Sequence, residues 1–262
     1  MYGSIKDSGL TEIIIFAFLF YNTFNTIMGR IFEKRKHKMF ARYEKMAKTF
    51  TRIGREIAIA VKQGGPNPGA NPRLRMAIQN AKAANMPKDR VENAIKRASA
   101  RDEQDYEEIT YEGYAPGGVA LVIECATNNP TRTVANLRMH FSRHEGSLGK
   151  SGSVDYLFER KAIFKIAAEG RNVEELELDL IDFGAEEVYE EEGNIFIYTS
   201  FTDFGNMQKA LEDKEIPIIS SELQRIPQNP IEITPEAEKL VNNLVEALQE
   251  DDDVQHVFQN TK

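Results

Sequence analysis

Lysine and arginine side chains are concentrated in one segment of the 262-residue chain. Residues 28–101 contain 19 of them against 5 acidic residues, a net charge of +14. Residues 102–262 contain 13 basic and 34 acidic residues, a net charge of −21. A basic segment of this kind is suited to bind a polyanion, because each Lys or Arg placed against a phosphate releases condensed counterions. The acidic remainder would repel the same polyanion and so restrict the surface that faces it.

Many of these basic residues fall in a stretch with helical periodicity, residues 34–62. Apolar residues recur there at intervals of three or four, from Met39 to Val61, which predicts one long amphipathic helix. Basic side chains run along the flank of its apolar stripe. We predict that this basic ridge contacts phosphates, and that Arg73 and Arg75 add contacts beside the positive dipole end of a second helix. The predicted basic ridge consists of Lys34, Arg35, Lys36, Lys38, Arg42, Lys45, Arg52 and Arg55.

The alternative interpretation of the ridge is an ordinary solvated helix face. Five acidic residues are too few to pair with 19 basic ones, so polyanion binding is the better interpretation. Sequence-specific reading of DNA bases would need Asn, Gln or Arg on a docked helix. Asn71, Gln79 and Asn80 are the evident candidates. Because they are few, we expect weak sequence preference on isolated DNA.

Residue types that serve metal binding or nucleophilic catalysis are scarce. His140 and His144 are four residues apart on a predicted helix, but Phe141 stands where a metalloprotease would need Glu, so a chance pair is the better interpretation. Cys125 lies in an apolar strand and is predicted to be a core residue. As the only cysteine, it excludes an intramolecular disulfide and is compatible with a reducing cytoplasm. We predict no metal and no cofactor.

An enzyme or small-ligand module is the rival hypothesis, with its cleft around Thr131, Arg132 and Lys150. The preferred interpretation makes Thr131 or Thr133 a helix cap and Arg132 an ion-pair partner, and the chain not an enzyme. Phe196 and Tyr198 alternate on a predicted strand, as in RNA-stacking sheets. Because residues 160–226 hold 16 acidic and 7 basic residues, these two aromatic residues are instead predicted to belong to the core.

The first 27 residues include a continuously apolar run, residues 13–21. This run is shorter than the roughly 20 residues that a spanning helix needs. The flanking residues also fit a signal peptide poorly. We expect translation to begin at Met28, with no membrane partner, and deletion of residues 1–27 to leave solubility and binding unchanged.

The remaining periodicities predict the order of elements. After residues 34–62, helices are expected at 73–84 and 88–100, then an acidic linker at 101–108. Strands follow at 109–114 and 119–126, a helix at 133–144, a Gly/Ser loop at 146–152 and a strand at 154–158. Residues 161–226 have the β-α-β-β-α-β order of a ferredoxin-like unit. A last helix at 235–249 and a strand at 254–258 would complete the sheet begun at residue 109.

Several ordered motifs closely resemble the YebC/PmpR family, which includes the mitochondrial translational activator of cytochrome c oxidase. The resemblance covers essentially all of residues 28–262. It departs at the start, where Gly29-Arg30-Ile31-Phe32-Glu33-Lys34 replaces the usual Gly-His-Ser-Lys-Trp. The motifs are Gly64-Gly65-Pro66-Asn67-Pro68, Asn71-Pro72-Arg73-Leu74-Arg75, Asn85-Met86-Pro87, Tyr111-Glu112-Gly113-Tyr114-Ala115-Pro116-Gly117-Gly118, Thr127-Asn128-Asn129-Pro130-Thr131-Arg132-Thr133, Gly146-Ser147-Leu148-Gly149 and Gly152-Ser153-Val154-Asp155-Tyr156-Leu157-Phe158.

The resemblance implies a cytoplasmic, non-enzymatic protein of three domains, the third inserted in the second. Members are described as DNA-binding transcriptional regulators, and others act on the ribosome. We therefore expect an α+β fold: a basic three-helix domain at 28–101, a middle α/β domain at 109–160 plus 227–262, and an acidic ferredoxin-like domain inserted at 161–226. The expected function is nucleic-acid-binding regulation of gene expression, through DNA or, alternatively, ribosomal RNA. The physiological target and the oligomeric state stay open.

Overall fold

The computed structural model describes residues 45–100 and 105–262. The chain divides into two units, residues 1–48 and residues 49–262. Residues 45–48 are the described part of the first unit, and they are helical. The leader at 1–27 and five residues of the predicted ridge lie outside the described residues, so the predictions made for them stay predictions. These five are Lys34, Arg35, Lys36, Lys38 and Arg42.

Three helices form the N-terminal domain: α1 (45–64), α2 (Pro72–Ala83) and α3 (Lys88–Ala98). Ile57, Leu74, Ala77 and Val91 lie in their shared core. The second helix begins as the sequence predicts, with Pro72 at its first position and Asn71 as its N-cap. The Asn71 side chain accepts a hydrogen bond from the Leu74 N–H at 3.0 Å. Short connections and a common apolar face therefore give a small helical bundle.

The middle domain is an antiparallel sheet of four strands in the order β3-β1-β2-β8. On β2, Leu121 and Ile123 face the core formed with helices α4 and α7, while Ala120 and Val122 pack on Val154 and Phe158. Both faces of β2 are thus buried, which explains its nearly continuous apolar sequence. The elements are β1 (Glu107–Ala115), β2 (Val119–Thr127), α4 (Pro130–Arg143), β3 (Ser147–Leu148), α7 (Pro235–Glu250) and β8 (Val254–Gln259).

A glycine lets β1 approach its neighbours closely. A Cβ atom at Gly113 would lie 2.6 Å from the Phe141 ring and 2.8 Å from the Ser147 carbonyl oxygen. Gly113 pairs with Leu148 on β3, while Phe141 is buried in the core below. The absence of a side chain at this position therefore allows sheet and helix to pack together.

A second antiparallel sheet, in the order β5-β6-β4-β7, lies in the chain between β3 and α7. Helices α5 and α6 cover one face, where Phe164, Ile195 and Ile197 contact Leu176 and Met207. The elements are β4 (Phe158–Ala167), α5 (Val173–Leu180), β5 (Ala185–Glu191), β6 (Asn194–Ser200), α6 (Phe204–Asp213) and β7 (Ile218–Pro227).

The predicted α+β fold, with a helical N-terminal region followed by two α/β domains, is confirmed. β8 pairs with β2, so the chain returns to the first sheet after the second sheet is complete. The predicted domain limits stay predictions. The paired strands β4 and β7 extend as far as Phe158 and Pro227.

The strand predicted at 154–158 is wrong. Asp155–Leu157 forms a single 3-10 turn, and the strand β4 starts only at Phe158. The backbone N–H groups of Gly152, Val154 and Asp155 donate to the buried carboxylate of Glu112, at 2.6, 2.6 and 2.9 Å. This segment is shaped by the carboxylate because its N–H groups are used there and are not available to a strand partner.

The prediction that Phe196 and Tyr198 belong to the core is also wrong. Both are half-buried on the sheet face opposite α5 and α6, because the alternating Ile195 and Ile197 occupy the covered face. The Phe196 ring stacks on the Tyr189 ring with centroids 5.5 Å apart. These aromatic side chains thus lie on the face of the inserted sheet that α5 and α6 do not cover.

Candidate nucleic-acid interface

Two ridge residues, Arg52 and Arg55, contact the middle domain. Arg52 donates to the Gln249 carbonyl oxygen at 2.7 Å, and burial lowers the pKa of Arg52 despite the nearby charge of Asp252. Arg55 donates to the Ala126 carbonyl oxygen at 2.7 Å and to Asp253 at 3.0 Å. These guanidinium groups are already engaged by the protein, which reduces what they can offer to a phosphate.

The carboxylate of Asp253 is the centre of this contact, with a side chain that is 3% exposed. It accepts from Arg132 at 2.8 Å, from the Thr133 hydroxyl at 2.8 Å and from the Thr127 hydroxyl at 3.2 Å, as well as from Arg55. Burial alone would raise the pKa of Asp253, but the Arg132 and Thr133 hydrogen bonds and both arginine charges lower it overall. We call Asp253 with these four partners the Asp253 cluster.

The Asp253 cluster includes Arg132, one of the residues around which the rival hypothesis places an enzyme or small-ligand cleft. Arg132 is an ion-pair partner, as the preferred interpretation states. The N-cap of α4 is Asn129, whose side chain accepts from the Arg132 N–H at 3.1 Å, so the predicted cap at Thr131 or Thr133 is wrong. Thr133 uses its hydroxyl inside the cluster instead. Lys150 is an exposed residue of the loop after β3.

Arg73 and Arg75, at the start of α2, also meet acidic partners. Arg73 forms an ion pair with Glu108 and donates to Gln63 at 2.7 Å. Arg75 lies 3.2 Å from a Glu212 carboxylate oxygen and donates to the Pro68 carbonyl oxygen at 2.9 Å. Both arginines are half-buried. Their predicted phosphate contacts stay predictions, and those contacts would have to compete with carboxylates that are already in place.

Lys45 is exposed in the helical stretch 45–48. The structure therefore brings Arg52 and Arg55 together at the contact with the middle domain, and it places Arg73 and Arg75 apart from them at the start of α2. Both described ridge arginines therefore contact the middle domain, while Arg73 and Arg75 meet Glu108 and Glu212.

A groove between α1 and α3 gathers three basic residues that were not chosen from the sequence, together with Arg55 of the predicted ridge. It has a volume of about 810 Å³. Arg55 lines its α1 side, and Arg90, Lys96 and Arg97 line its α3 side. None of its described lining residues is Asp or Glu. We call this feature the basic groove.

The α3 residues of the basic groove share one helix face. Arg90, Asn93 and Arg97 are spaced by three and four residues, which aligns their side chains. Arg90, Lys96 and Arg97 are exposed, and in the described part of the chain neither Lys96 nor Arg97 has an ion-pair partner. These two also lie in the last turn of α3, where the helix dipole favours a positive charge.

Aromatic rings support two of the arginines in the basic groove. The Arg90 guanidinium lies 5.7 Å from the centroid of the Phe50 ring, and that of Arg55 lies 5.2 Å from the centroid of the Tyr106 ring. Such stacking holds a guanidinium in place without neutralising it. Arg55 is also paired with Asp253, so the positive charge that the groove presents comes from Arg90, Lys96 and Arg97.

Two of the three candidate base-reading residues, Asn71 and Asn80, are occupied within the protein. Asn71 is buried and donates to the Ala60 carbonyl oxygen at 2.7 Å. The Asn80 side chain donates to the Ser221 carbonyl oxygen at 2.8 Å and accepts from the Ser221 N–H at 3.2 Å. The side-chain oxygen of Gln79 is buried. Asn71 and Asn80 thus present no free amide edge to a DNA base, and the expected weak sequence preference stays a prediction.

A cavity of about 630 Å³ lies where α1 and α2 face the two sheets. His256 lines it, with Nε2 3.6 Å from a Glu56 carboxylate oxygen and a side chain that is 44% exposed. Burial by the surrounding protein lowers the pKa of His256, but Glu56 and the charges of Glu124 and Glu222 raise it overall. The other charged residues of its lining are mixed, with Glu108, Glu124 and Glu222 beside Arg73, Arg160 and Arg225. Arg73 is paired with Glu108 and Arg225 with Glu124, so this cavity has no excess of positive charge to attract phosphate.

Cys125 is a core residue, as predicted, and is 2% exposed. Burial raises the pKa of its thiol well above the ordinary value, so the reactive thiolate is disfavoured. Among the described residues, no group of three or more His, Cys, Asp or Glu is placed to hold a metal ion. In the same part of the chain no helix is both long and apolar enough to cross a membrane.

The predictions from the sequence did not include α3 among the elements that could contact phosphates. The spacing of Arg90, Asn93 and Arg97 already indicated one polar face on this helix. Of its basic residues, Lys88 has an acidic partner, Glu92, at 3.4 Å. The predicted phosphate contacts were placed on the basic ridge instead, because the ridge contains more Lys and Arg residues. Periodicity alone cannot tell which flank of α1 faces the acidic body.

Comparisons with known proteins agree with this architecture. A family model described as the N-terminal domain of the TACO1/YebC protein matches residues 30–101, and one described as the second and third domain matches residues 106–261. A relative from Cytophaga hutchinsonii is 54% identical over 89% of this chain and 98% of its own length. One from Flavobacterium johnsoniae is 54% identical over 90% and 99%. Both relatives are named probable transcriptional regulatory protein.

A crystal structure of a conserved hypothetical protein from Aquifex aeolicus has the same fold. It is 41% identical to this chain, with a TM-score of 0.72, and the match covers 82% of this chain and 90% of that one. The helical N-terminal region and the two antiparallel sheets that follow it thus define an α+β protein with a basic N-terminal part. The chain belongs to the TACO1/YebC family.

Proposed function

We propose that the chain is a non-enzymatic, nucleic-acid-binding regulator of gene expression, and that the basic groove is its phosphate-contact surface. The observation that carries the proposal is the charge of the groove: three exposed basic residues, Arg90, Lys96 and Arg97, and no described acidic lining residue, beside an otherwise acidic body. Phosphates are drawn to such a groove and repelled by the surrounding carboxylates. The predicted ridge would extend this surface.

The first form of the proposal is a DNA-binding transcriptional regulator. The names of the bacterial relatives support it. Phosphate contacts would position the protein on the duplex, while Asn93 supplies an amide within the groove. Regulation would then depend on where the protein is held, with little direct reading of bases.

The second form is a ribosome-associated translation factor that binds ribosomal RNA. One observation favours it: the side-chain amides of Asn71 and Asn80 form hydrogen bonds within the protein. A protein with few free base-reading residues recognises mainly shape and phosphate, and folded RNA presents both together. The acidic body would then face solvent or basic ribosomal proteins.

The test replaces Arg90, Lys96 and Arg97 together by Gln, which keeps helix propensity and removes charge. If each residue contacts one phosphate, the slope of log K against log salt falls by about three, and affinity weakens regardless of sequence. A matched control replaces the exposed cations Arg138 and Arg143 of α4 and Lys239 of α7 by Gln. Unchanged binding and salt slope in the folded groove variant would remove the proposal.

Competition separates the two forms. The full chain, bound to a fluorescent promoter duplex at near-physiological salt, is challenged with purified ribosomes. Displacement at nanomolar ribosome concentration supports the translational form. A nanomolar, sequence-dependent duplex complex that ribosomes do not displace supports transcription and contradicts the translational form.

A further inference from the structure

Helix α5 of the inserted domain leaves apolar side chains uncovered. Leu176 and Leu180 enter the core, whereas Leu178 is 71% exposed. The chain continues from α5 into a 3-10 turn, Ile181–Phe183, in which Ile181 is 56% and Phe183 39% exposed. Leu178 and Ile181 are neighbours on the surface because helical residues three apart adjoin. Single exposed apolar residues are common, but three within six positions form a patch that indicates an interaction site.

Carboxylates surround this apolar patch of Leu178, Ile181 and Phe183. The segment from Val173 to Phe183 contains five acidic residues and no Lys or Arg. Asp179 meets Lys214 at 2.7 Å; of the others, Glu174, Glu175 and Asp182 are exposed. The patch is thus apolar at its centre and negatively charged at its rim.

We propose that the apolar patch docks a partner protein through a segment that combines apolar side chains with Lys or Arg. Burial of Leu178 and Ile181 would supply the affinity, because removing exposed apolar side chains from water favours association. The acidic rim would steer and align a basic partner. An amphipathic basic helix meets both requirements.

The charge of the rim selects among other occupants. Nucleic acid and anionic lipid headgroups carry the same sign as the rim and are repelled. A second copy of the inserted domain would bring five more carboxylates to the contact. This surface is therefore separate from the basic groove, and the proposal does not depend on which nucleic acid is bound there.

Photocrosslinking tests the proposal on the full chain. Benzoylphenylalanine replaces Leu178 in one variant and Tyr156 in the control, because Tyr156 of the middle domain is 70% exposed and so matches Leu178 in accessibility. After irradiation in cells, the crosslinked peptides are identified by mass spectrometry. The expected result is one predominant protein adduct at position 178 and none at 156, with the attachment site in a peptide containing both apolar and basic residues.

Several results would overturn the proposal. These are adducts of equal strength at both positions, an acidic crosslinked peptide, a predominant adduct to RNA, or a predominant adduct to a second copy of this chain. A second measurement uses the identified partner in purified form. The double variant Leu178→Ser, Ile181→Ser should weaken its binding at least about tenfold, while Tyr156→Ser leaves it unchanged. Equal binding by the double variant, with an unchanged circular dichroism spectrum, contradicts docking at the apolar patch.

Discussion

Replacement of Asp253 by Ala removes the acceptor that joins α1 to the middle domain. Arg55, whose side chain is 13% exposed, would lose its carboxylate in a place that water reaches poorly. Breaking a buried ion pair costs about 3–5 kcal/mol. Arg132 contributes less to that cost, since its side chain is 48% exposed and can be solvated again. We therefore expect a loss near the lower end, about 3 kcal/mol, which is a large part of the 5–15 kcal/mol typical of a folded domain.

Urea unfolding at pH 7, followed by circular dichroism, measures this loss. The control is Asp252→Ala, which removes an exposed carboxylate from the adjacent position. A double-mutant cycle with Arg55→Ala should show that the two changes are not additive. A loss below about 1 kcal/mol for Asp253→Ala, or additive effects with Arg55→Ala, would refute the role assigned to the Asp253 cluster.

The loss of unfolding free energy caused by Asp253→Ala should depend on pH, in a direction that follows from the pKa of Asp253. The pKa of Asp253 is lowered from its ordinary value of 3.8, so the folded state favours the ionised form. Its contribution to stability is present above pH 3.8 and is lost as the pH falls through the lower folded-state pKa. The difference in unfolding free energy between the natural chain and Asp253→Ala should therefore persist from pH 7 to about pH 4 and narrow below it.

Three further outcomes are expected. Because Glu56 raises the pKa of His256 above 6.5, the stabilisation is present below pH 6.5 and is lost as the pH rises through the folded-state pKa. Glu56→Gln should thus destabilise the chain more at pH 5.5 than at pH 8.5 in urea titrations. Gly113→Ala should cost about 1–3 kcal/mol through overpacking, whereas Gly205→Ala, with open space around it, should be neutral or stabilise by up to about 1 kcal/mol. Cys125 should react with a thiol reagent at pH 8 only as fast as the chain unfolds; fast labelling of the native chain would contradict its burial.

The sequence predicted the order of the elements because each has a strong local pattern. The apolar stripe of α1, the cap at Asn71 and the alternation on β6 depend on residues close together in the chain. The turn at Asp155–Leu157 was missed for the opposite reason. Its shape depends on Glu112, some 40 residues earlier, and no local pattern reveals that contact.

Charge was likewise predictable in amount but not in placement. The excess of Lys and Arg in residues 28–101 is evident by counting, but the partner of Arg55 lies 198 residues away in the chain. Which basic residues face the acidic body is decided by tertiary packing. The basic groove could be found only once α1 and α3 were placed side by side.

The pairing of β8 with β2 has a consequence for synthesis of the chain. Strand β2 ends at Thr127 and its partner begins at Val254, so 126 residues must be made before that edge is covered. At 5–20 residues per second this takes roughly 6–25 s, during which an apolar strand edge stays open on the nascent chain. The inserted sheet is contiguous in the chain and can close earlier. A stop codon between residues 228 and 253 would thus release a product whose inserted domain can fold while its middle sheet stays incomplete.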